Sequence, residues 1–185
     1  MVVSKKALVE RLLPLVLTMG VIILDQTTKY VIVKNWPITE DSSGILINDV
    51  FDNDVLKIIH IRNRAIAFSL GTNVPDSIKP ALFSFLPLLV LLLLIGYYVK
   101  SNEWTRTQRW ALAGIFGGGL GNIIDRIYPH GGIRGVVDFI SIKFWGIFGL
   151  ARWPAFNIAD ATVVVCVIFL FITMLIPAKK SKGNV

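Results

Sequence analysis

The sequence predicts an α-helical polytopic membrane protein, with four transmembrane helices, a small extracytoplasmic β-sheet and an interfacial loop. Three observations lead there. Of 185 residues, 54% are hydrophobic and only 17% charged, with a mean hydropathy of +0.66, which is too apolar for an ordinary soluble domain. Four segments, approximately 12–33, 80–99, 108–126 and 156–177, approach the about 20 apolar residues needed to span a hydrocarbon core. Between them lie two segments, 34–79 and 127–155, with short β-prone runs separated by turn residues. We expect one membrane-embedded domain covering residues 1–185.

The first span follows Lys5, Lys6 and Arg11 and starts with an apolar run from Leu12 to Leu24. No small-x-small cleavage site follows directly, so the run reads as an uncleaved span and not as a signal peptide. It then holds Asp25 and Lys29, one helical turn apart. The second span, ALFSFLPLLVLLLLIGYYV, carries no charge. The third contains Gly114, Gly117, Gly118, Gly119 and Gly121 and ends in Asp125 and Arg126; such small residues let another helix or a substrate approach closely. The fourth opens with FNIAD and contains the single cysteine, Cys166. One cysteine makes no internal disulfide, and with no histidine near it in sequence Cys166 reads as a small packing residue.

Basic residues stay on the cytoplasmic side of short loops. With the N-terminus inside, nine basic residues (Lys5, Lys6, Arg11, Lys100, Arg106, Arg109, Lys179, Lys180 and Lys182) face the cytoplasm against Glu10 and Glu103, and the whole formal charge of +7 sits on that side. Both termini are then cytoplasmic. A pI near 9.7 invites a nucleic-acid reading, but the basic residues form short flanks of apolar helices without an aromatic-interleaved patch, so no nucleic-acid partner is expected.

The first outer segment reads ILINDVF, VLKIIHIR and AIAFSL, separated by Asn53, Asp54, Asn63 and Gly71, the pattern of a small sheet at the membrane surface. The second opens with the turn signal YPHGGIRG and continues into VVDFISIKF, where Val137 and Phe139 flank Asp138 in strand alternation. Trp145, Phe148, Trp153 and Phe156 follow; such aromatics sit at headgroup level and would hold this loop, with Asp138, at the outer interface.

Helical rise then puts several acids in one layer. Asp160 lies about 6 Å below the outer boundary, Asp125 about 26 Å along the third span and Asp25 about 20 Å up the first. A charge inside a span costs at least about 2.5 to 3.5 kcal/mol and is paired or functional. Asp25 has Lys29 one turn on, and Asp125 has Arg126 or Lys29; Asp160 has no basic residue within a turn. Two carboxylates sharing a proton can activate a water and protonate a leaving group, because like charges at close range cannot both ionise. Other chemistries lack parts. There is no HExxH or other clustered metal-ligand set, and the two histidines, His60 and His130, sit far apart on different loops. A Ser-His arrangement would need Ser141 with His130, without a partner acid at readable spacing. A small proton-coupled transporter using the acids as a relay is the alternative, but no internal repeat is visible and the acids cluster at one surface instead of the midplane.

DQTTK (25–29), NRAIAF (63–68), GGGLGNIIDR (117–126), VVDF (136–139) and FNIAD (156–160), in this order on four spans, resemble the lipoprotein signal peptidase (signal peptidase II) family. The match covers nearly the whole chain. The resemblance implies a bacterial cytoplasmic (inner) membrane aspartic endopeptidase that removes the signal peptide of prolipoproteins before a diacylglyceryl-modified cysteine, with its site near the outer leaflet and no metal or organic cofactor. It assigns the catalytic dyad to Asp138 and Asp160. Asn63, Asn122, Arg126 and Asn157 fall on positions that hold the substrate backbone or order the site, and Asp25, Lys29 and Asp125 on supporting positions; Gly118, beside Gly121 and Asn122, fits a close approach of the substrate or of another helix. Where the family usually carries glycine, this chain has Ala65. The expected partners are lipidated prolipoproteins and membrane lipid, with the enzyme acting as a monomer.

Overall fold

The computed structural model describes residues 5–38, 47–63, 75, 77–78 and 81–175. The AIAFSL run, Ala65 and the C-terminal lysines lie outside the described residues. Helices form at all four expected positions. α1 (Lys5–Leu12) is followed by α2 (Leu15–Asn35), with Pro14 between them; Pro14 has no N–H to continue the ladder. After the first long connecting segment a π-type turn, Ala81–Phe85, leads into α3 (Leu86–Lys100). α4 (Arg106–Ile127) starts in a capping box, where Thr105 Oγ1 accepts from the Gln108 N–H at 3.2 Å and Gln108 Oε1 accepts from the Thr105 N–H at 3.0 Å. α5 (Ile158–Leu175) completes the set.

By length and composition, Leu82–Lys100 and Ile158–Leu175 are apolar enough to cross a membrane, while α2 and α4 carry charged side chains inside the bundle. The molecule is inverted relative to a water-soluble fold. Val164, Val165, Ile168, Phe171 and Leu175 on α5 and Leu92 and Leu93 on α3 are exposed, whereas Asp25, Lys29, Asp125, Asp138 and Asn157 are fully or almost fully buried. Large contiguous apolar surface of this kind calls for an apolar surrounding.

α4 is the central helix, and its glycines are the slots into which α2 and α5 fit. A Cβ on Gly117 would stand 2.7 Å from Val21 Cβ of α2, and one on Gly118 would run into the Ala159 carbonyl of α5. Cys166 has its sulfur against Gly114, consistent with packing. At one end of the helices β1 (Ile47–Asp52), β2 (Leu56–Asn63) and β3 (Val136–Ile142) form an antiparallel sheet in that order. Asn63, the last residue of β2, pairs with Val136, the first of β3. Gly135 enters β3 with φ +120°, and a Cβ there would lie 3.1 Å from the Asn63 carbonyl, so the glycine allows this pairing. After β3 the chain turns back, and Phe156 pairs with Ile140 just before α5 begins. β3 and the start of α5 are thereby brought side by side.

Candidate active site

Lys29 sits at the centre of a buried polar layer. Its ammonium lies 2.8 Å from Asp25 Oδ2 and 2.9 Å from Asp125 Oδ2, all three side chains having 0% exposure. It also donates to Asn122 Oδ1 at 3.1 Å. Of the two basic neighbours the sequence offered Asp125, Lys29 is the one that reaches it inside this buried layer. The same two carboxylates also hold backbone. The Val137 N–H donates to Asp125 Oδ2 at 3.1 Å and the Ala159 N–H to Asp25 Oδ1 at 3.0 Å. Val137 and Ala159 immediately precede Asp138 and Asp160, so one cation anchors the strand bearing one acid and the helix bearing the other.

Asp160 opens α5 in a reciprocal cap with Asn157. Asp160 N–H donates to Asn157 Oδ1 at 2.9 Å, and Asn157 N–H donates to Asp160 Oδ2 at 3.2 Å. A carboxylate in a first helical turn satisfies free N–H groups and faces the positive end of the helix dipole. The other oxygen, Oδ1, accepts from Asn122 Nδ2 at 2.7 Å. Asp138 is 2% exposed; its Oδ1 accepts from Asn157 Nδ2 at 2.7 Å and its Oδ2 from Asn63 Nδ2 at 2.9 Å. Asn157 thus holds both acids, one with its backbone and one with its side chain, and is itself within 3.1 Å of Asn122 Oδ1. Arg126 donates to the Asn122 carbonyl at 3.3 Å and feels the charges of Asp138 and Asp160.

Burial, and secondarily the nearby charge of Asp160, push the Asp138 carboxyl up to about 7, against the donors Asn63 and Asn157, which favour ionisation. A buried acid that keeps its proton near neutrality beside a second carboxyl, half-buried and reachable, is the pairing needed for general acid–base work.

Helical rise placed Asp25, Asp125 and Asp160 in one layer and the resemblance singled out Asn63, Asn122, Asn157, Asp138 and Lys29 beside them; hydrogen bonds or ion pairs join all eight. Gly118 enters it only through its packing on Ala159. Added bulk in such a packed helix contact costs about 1–3 kcal/mol; Gly118→Ala is expected to lower the thermal midpoint of the solubilised protein accordingly, and an unchanged midpoint would show that the helices simply move apart. The two histidines, expected on different loops, are both engaged, and His60 lies on a strand. His60 is 1% exposed on β2 and engages the Trp36 carbonyl through Nδ1 at 2.7 Å, and burial holds its pKa below the usual histidine value. His130 reaches the polar layer, as does Gln26, which sequence reasoning did not single out. The DQTTK spacing carried the signal, since Gln26 lies between Asp25 and Lys29. Ser141 Oγ is taken up by Arg152 Nε at 3.1 Å. Among the described residues no cluster of three or more His, Cys, Asp or Glu side chains could hold a metal ion.

A family model described as Signal peptidase (SPase) II matches residues 17–176. The chain belongs to the signal peptidase II family. It is 42% identical over 170 residues, 92% of each chain, to a lipoprotein signal peptidase of Treponema denticola. It is 37% identical to one of Treponema pallidum, covering 90% of this chain and 84% of that one. A solved structure described as a bacterial membrane enzyme superposes with a TM-score of 0.69 at 28% identity over 93% of each chain. Signal peptidase II membership makes the protein a peptidase, a hydrolase of peptide bonds.

Proposed function

We propose that the protein is an intramembrane aspartic endopeptidase that removes the signal peptide of diacylglyceryl-modified prolipoproteins on the N-terminal side of the modified cysteine, with Asp138 and Asp160 as its dyad. The observation that carries this reading is the bridging of the two carboxyls by Asn157. In this mechanism Asp138 holds the shared proton and Asp160 is ionised. Asp160 takes a proton from a water as its oxygen attacks the scissile carbonyl, while Asp138 protonates the carbonyl oxygen. On collapse the C–N bond breaks, the proton taken from water passes to the leaving amine, and Asp138 recovers its own from a hydroxyl of the tetrahedral intermediate as the carbonyl re-forms. Asn63, Asn122 and Asn157 keep the carboxyls aimed, and Arg126 offsets their combined charge.

The exposed apolar faces of α3 and α5 support a multi-pass arrangement in the bacterial cytoplasmic membrane, with α2, α3, α4 and α5 as four spans, both termini inside and the site near the outer leaflet. There the acyl chains of a substrate stay in lipid while its peptide reaches the dyad. The reading needs no cofactor and a single copy of the chain.

Incubating the purified protein with a lipidated and a non-lipidated precursor tests the reading. Cleavage of the lipidated form alone is the expected result; an intact lipidated precursor beside an active control enzyme overturns it. The raised Asp138 carboxyl adds a pH dependence. Because Asp138 must be protonated, kcat is expected to fall as pH rises through about 7, and a rate flat from pH 6 to pH 9 would remove Asp138 as the acid. Stability runs in the same direction. The folded state binds this proton more tightly than the unfolded chain, so stability declines as pH climbs from the ordinary carboxylate range toward about 7.

A further inference from the structure

We infer that Gln26 and His130 act together as positioning residues for Asp138, a role that rests on the peptidase reading above. His130 Nε2 lies 3.2 Å from Gln26 Oε1 and 3.5 Å from Asp125 Oδ1. Both neighbours accept, so this nitrogen carries the ring hydrogen. That N–H fixes which way the Gln26 amide faces. The amide oxygen points to the outer loop and the NH2 group into the bundle, where it lies 2.9 Å from Asp125 Oδ1 and 3.1 Å from both Asp25 Oδ2 and the Gly121 carbonyl. Turned over, the amide would set its oxygen against two buried carboxylates, which is repulsive.

Asp125 transmits the effect. Its Oδ1 is held by Gln26 and His130, and its Oδ2 holds Lys29 and the Val137 N–H next to Asp138. The backbone of His130 ties down the opposite side. Arg62 Nη2 donates to its carbonyl at 2.8 Å, and the residue after Arg62 is Asn63, which donates to Asp138 Oδ2. The turn at His130–Gly132 is therefore fastened to both supports of Asp138, its side chain to one and its carbonyl to the other. Neither Gln26 nor His130 has a hydrogen bond to Asp138 or Asp160, so each works through Asp125.

The test uses the full chain in detergent micelles. His130→Ala removes the ring donor, and His130→Gln keeps an N–H at similar reach. A reacting group displaced by about 1 Å loses up to about 10²-fold in rate, so for His130→Ala we expect kcat on a lipidated precursor to fall about 10-fold with KM within about 2-fold. His130→Gln should recover most of that loss. Hydrogen exchange of the Val137 amide should quicken in His130→Ala and not in His130→Gln. Gln26→Met, read by the same two measurements, should match His130→Ala, and it decides the matter if the alanine variant does not fold. Parental kcat and parental Val137 exchange in the alanine variant, or a glutamine variant as impaired as the alanine one, overturns the assignment. A parent protein that cleaves nothing overturns the peptidase reading instead, and the exchange measurement then decides the positioning role alone.

Discussion

Asp138→Asn and Asp160→Asn are each expected to remove cleavage of a lipidated precursor by at least about 10³-fold, within the range spanned by loss of a proton-transfer group, while the protein stays folded. The two substitutions fail for different reasons. An asparagine at 138 occupies the same space between Asn63 and Asn157 but has no proton to give the carbonyl oxygen. Because the native carboxyl is neutral until about pH 7, replacing it with a neutral amide removes a buried charge above that pH, which offsets the one acceptor lost where the new NH2 faces an asparagine NH2, and the variant should stay folded. An asparagine at 160 still offers one oxygen to the Asn157 N–H, so the helix cap survives in part, but the base that activates water is gone. A gel-shift time course with circular dichroism on the same samples checks both. Near-normal turnover in either variant strikes that residue from the dyad.

Lys29→Met should have the largest effect on stability. Lys29 faces Asp25 and Asp125 with none of the three exposed. Its removal leaves two buried carboxylates without their cation, and breaking a buried pair in this way costs about 3–5 kcal/mol. Cleavage should vanish with it, since the amides of Val137 and Ala159 are held by the same two acids. Because the penalty comes from uncompensated charge, the double variant Lys29→Met with Asp25→Asn should regain part of the lost thermal midpoint. A single Lys29→Met protein that unfolds at the parental temperature would show that the ammonium contributes nothing.

Much of this layer was legible from residue order alone, because charges inside apolar runs are rare and helical rise gives their depth. Asp25 with Lys29 could be read from a spacing of one turn, and Asp160 from its place at the head of the last apolar run. Strand alternation placed Asp138 on β3, and the glycines announced a close contact on α4. What could not be read were the contacts set by rotamer and loop path. Sequence left Asp125 a choice between Arg126 and Lys29, and helix packing decided for Lys29, which faces it across the α2–α4 contact. Gln26 looked like any polar residue beside a charge, and His130 like a plain turn residue, because nothing local reveals that the turn after α4 folds back over α2. The family resemblance supplied the roles of Asn63, Asn122 and Asn157; the shared use of Asn157 by both acids emerged only from the way β3 and α5 meet.

The order of these elements along the chain also governs when activity can begin. Asn157 caps α5 and Asp160 lies in its first turn, so a polypeptide still emerging from the ribosome with α1 to α4 and the sheet already made holds the proposed proton donor, Asp138, but neither the proposed base nor its clasp. On the proposed dyad, a product truncated before residue 157 is expected to cut nothing, because half of the acid–base pair is missing.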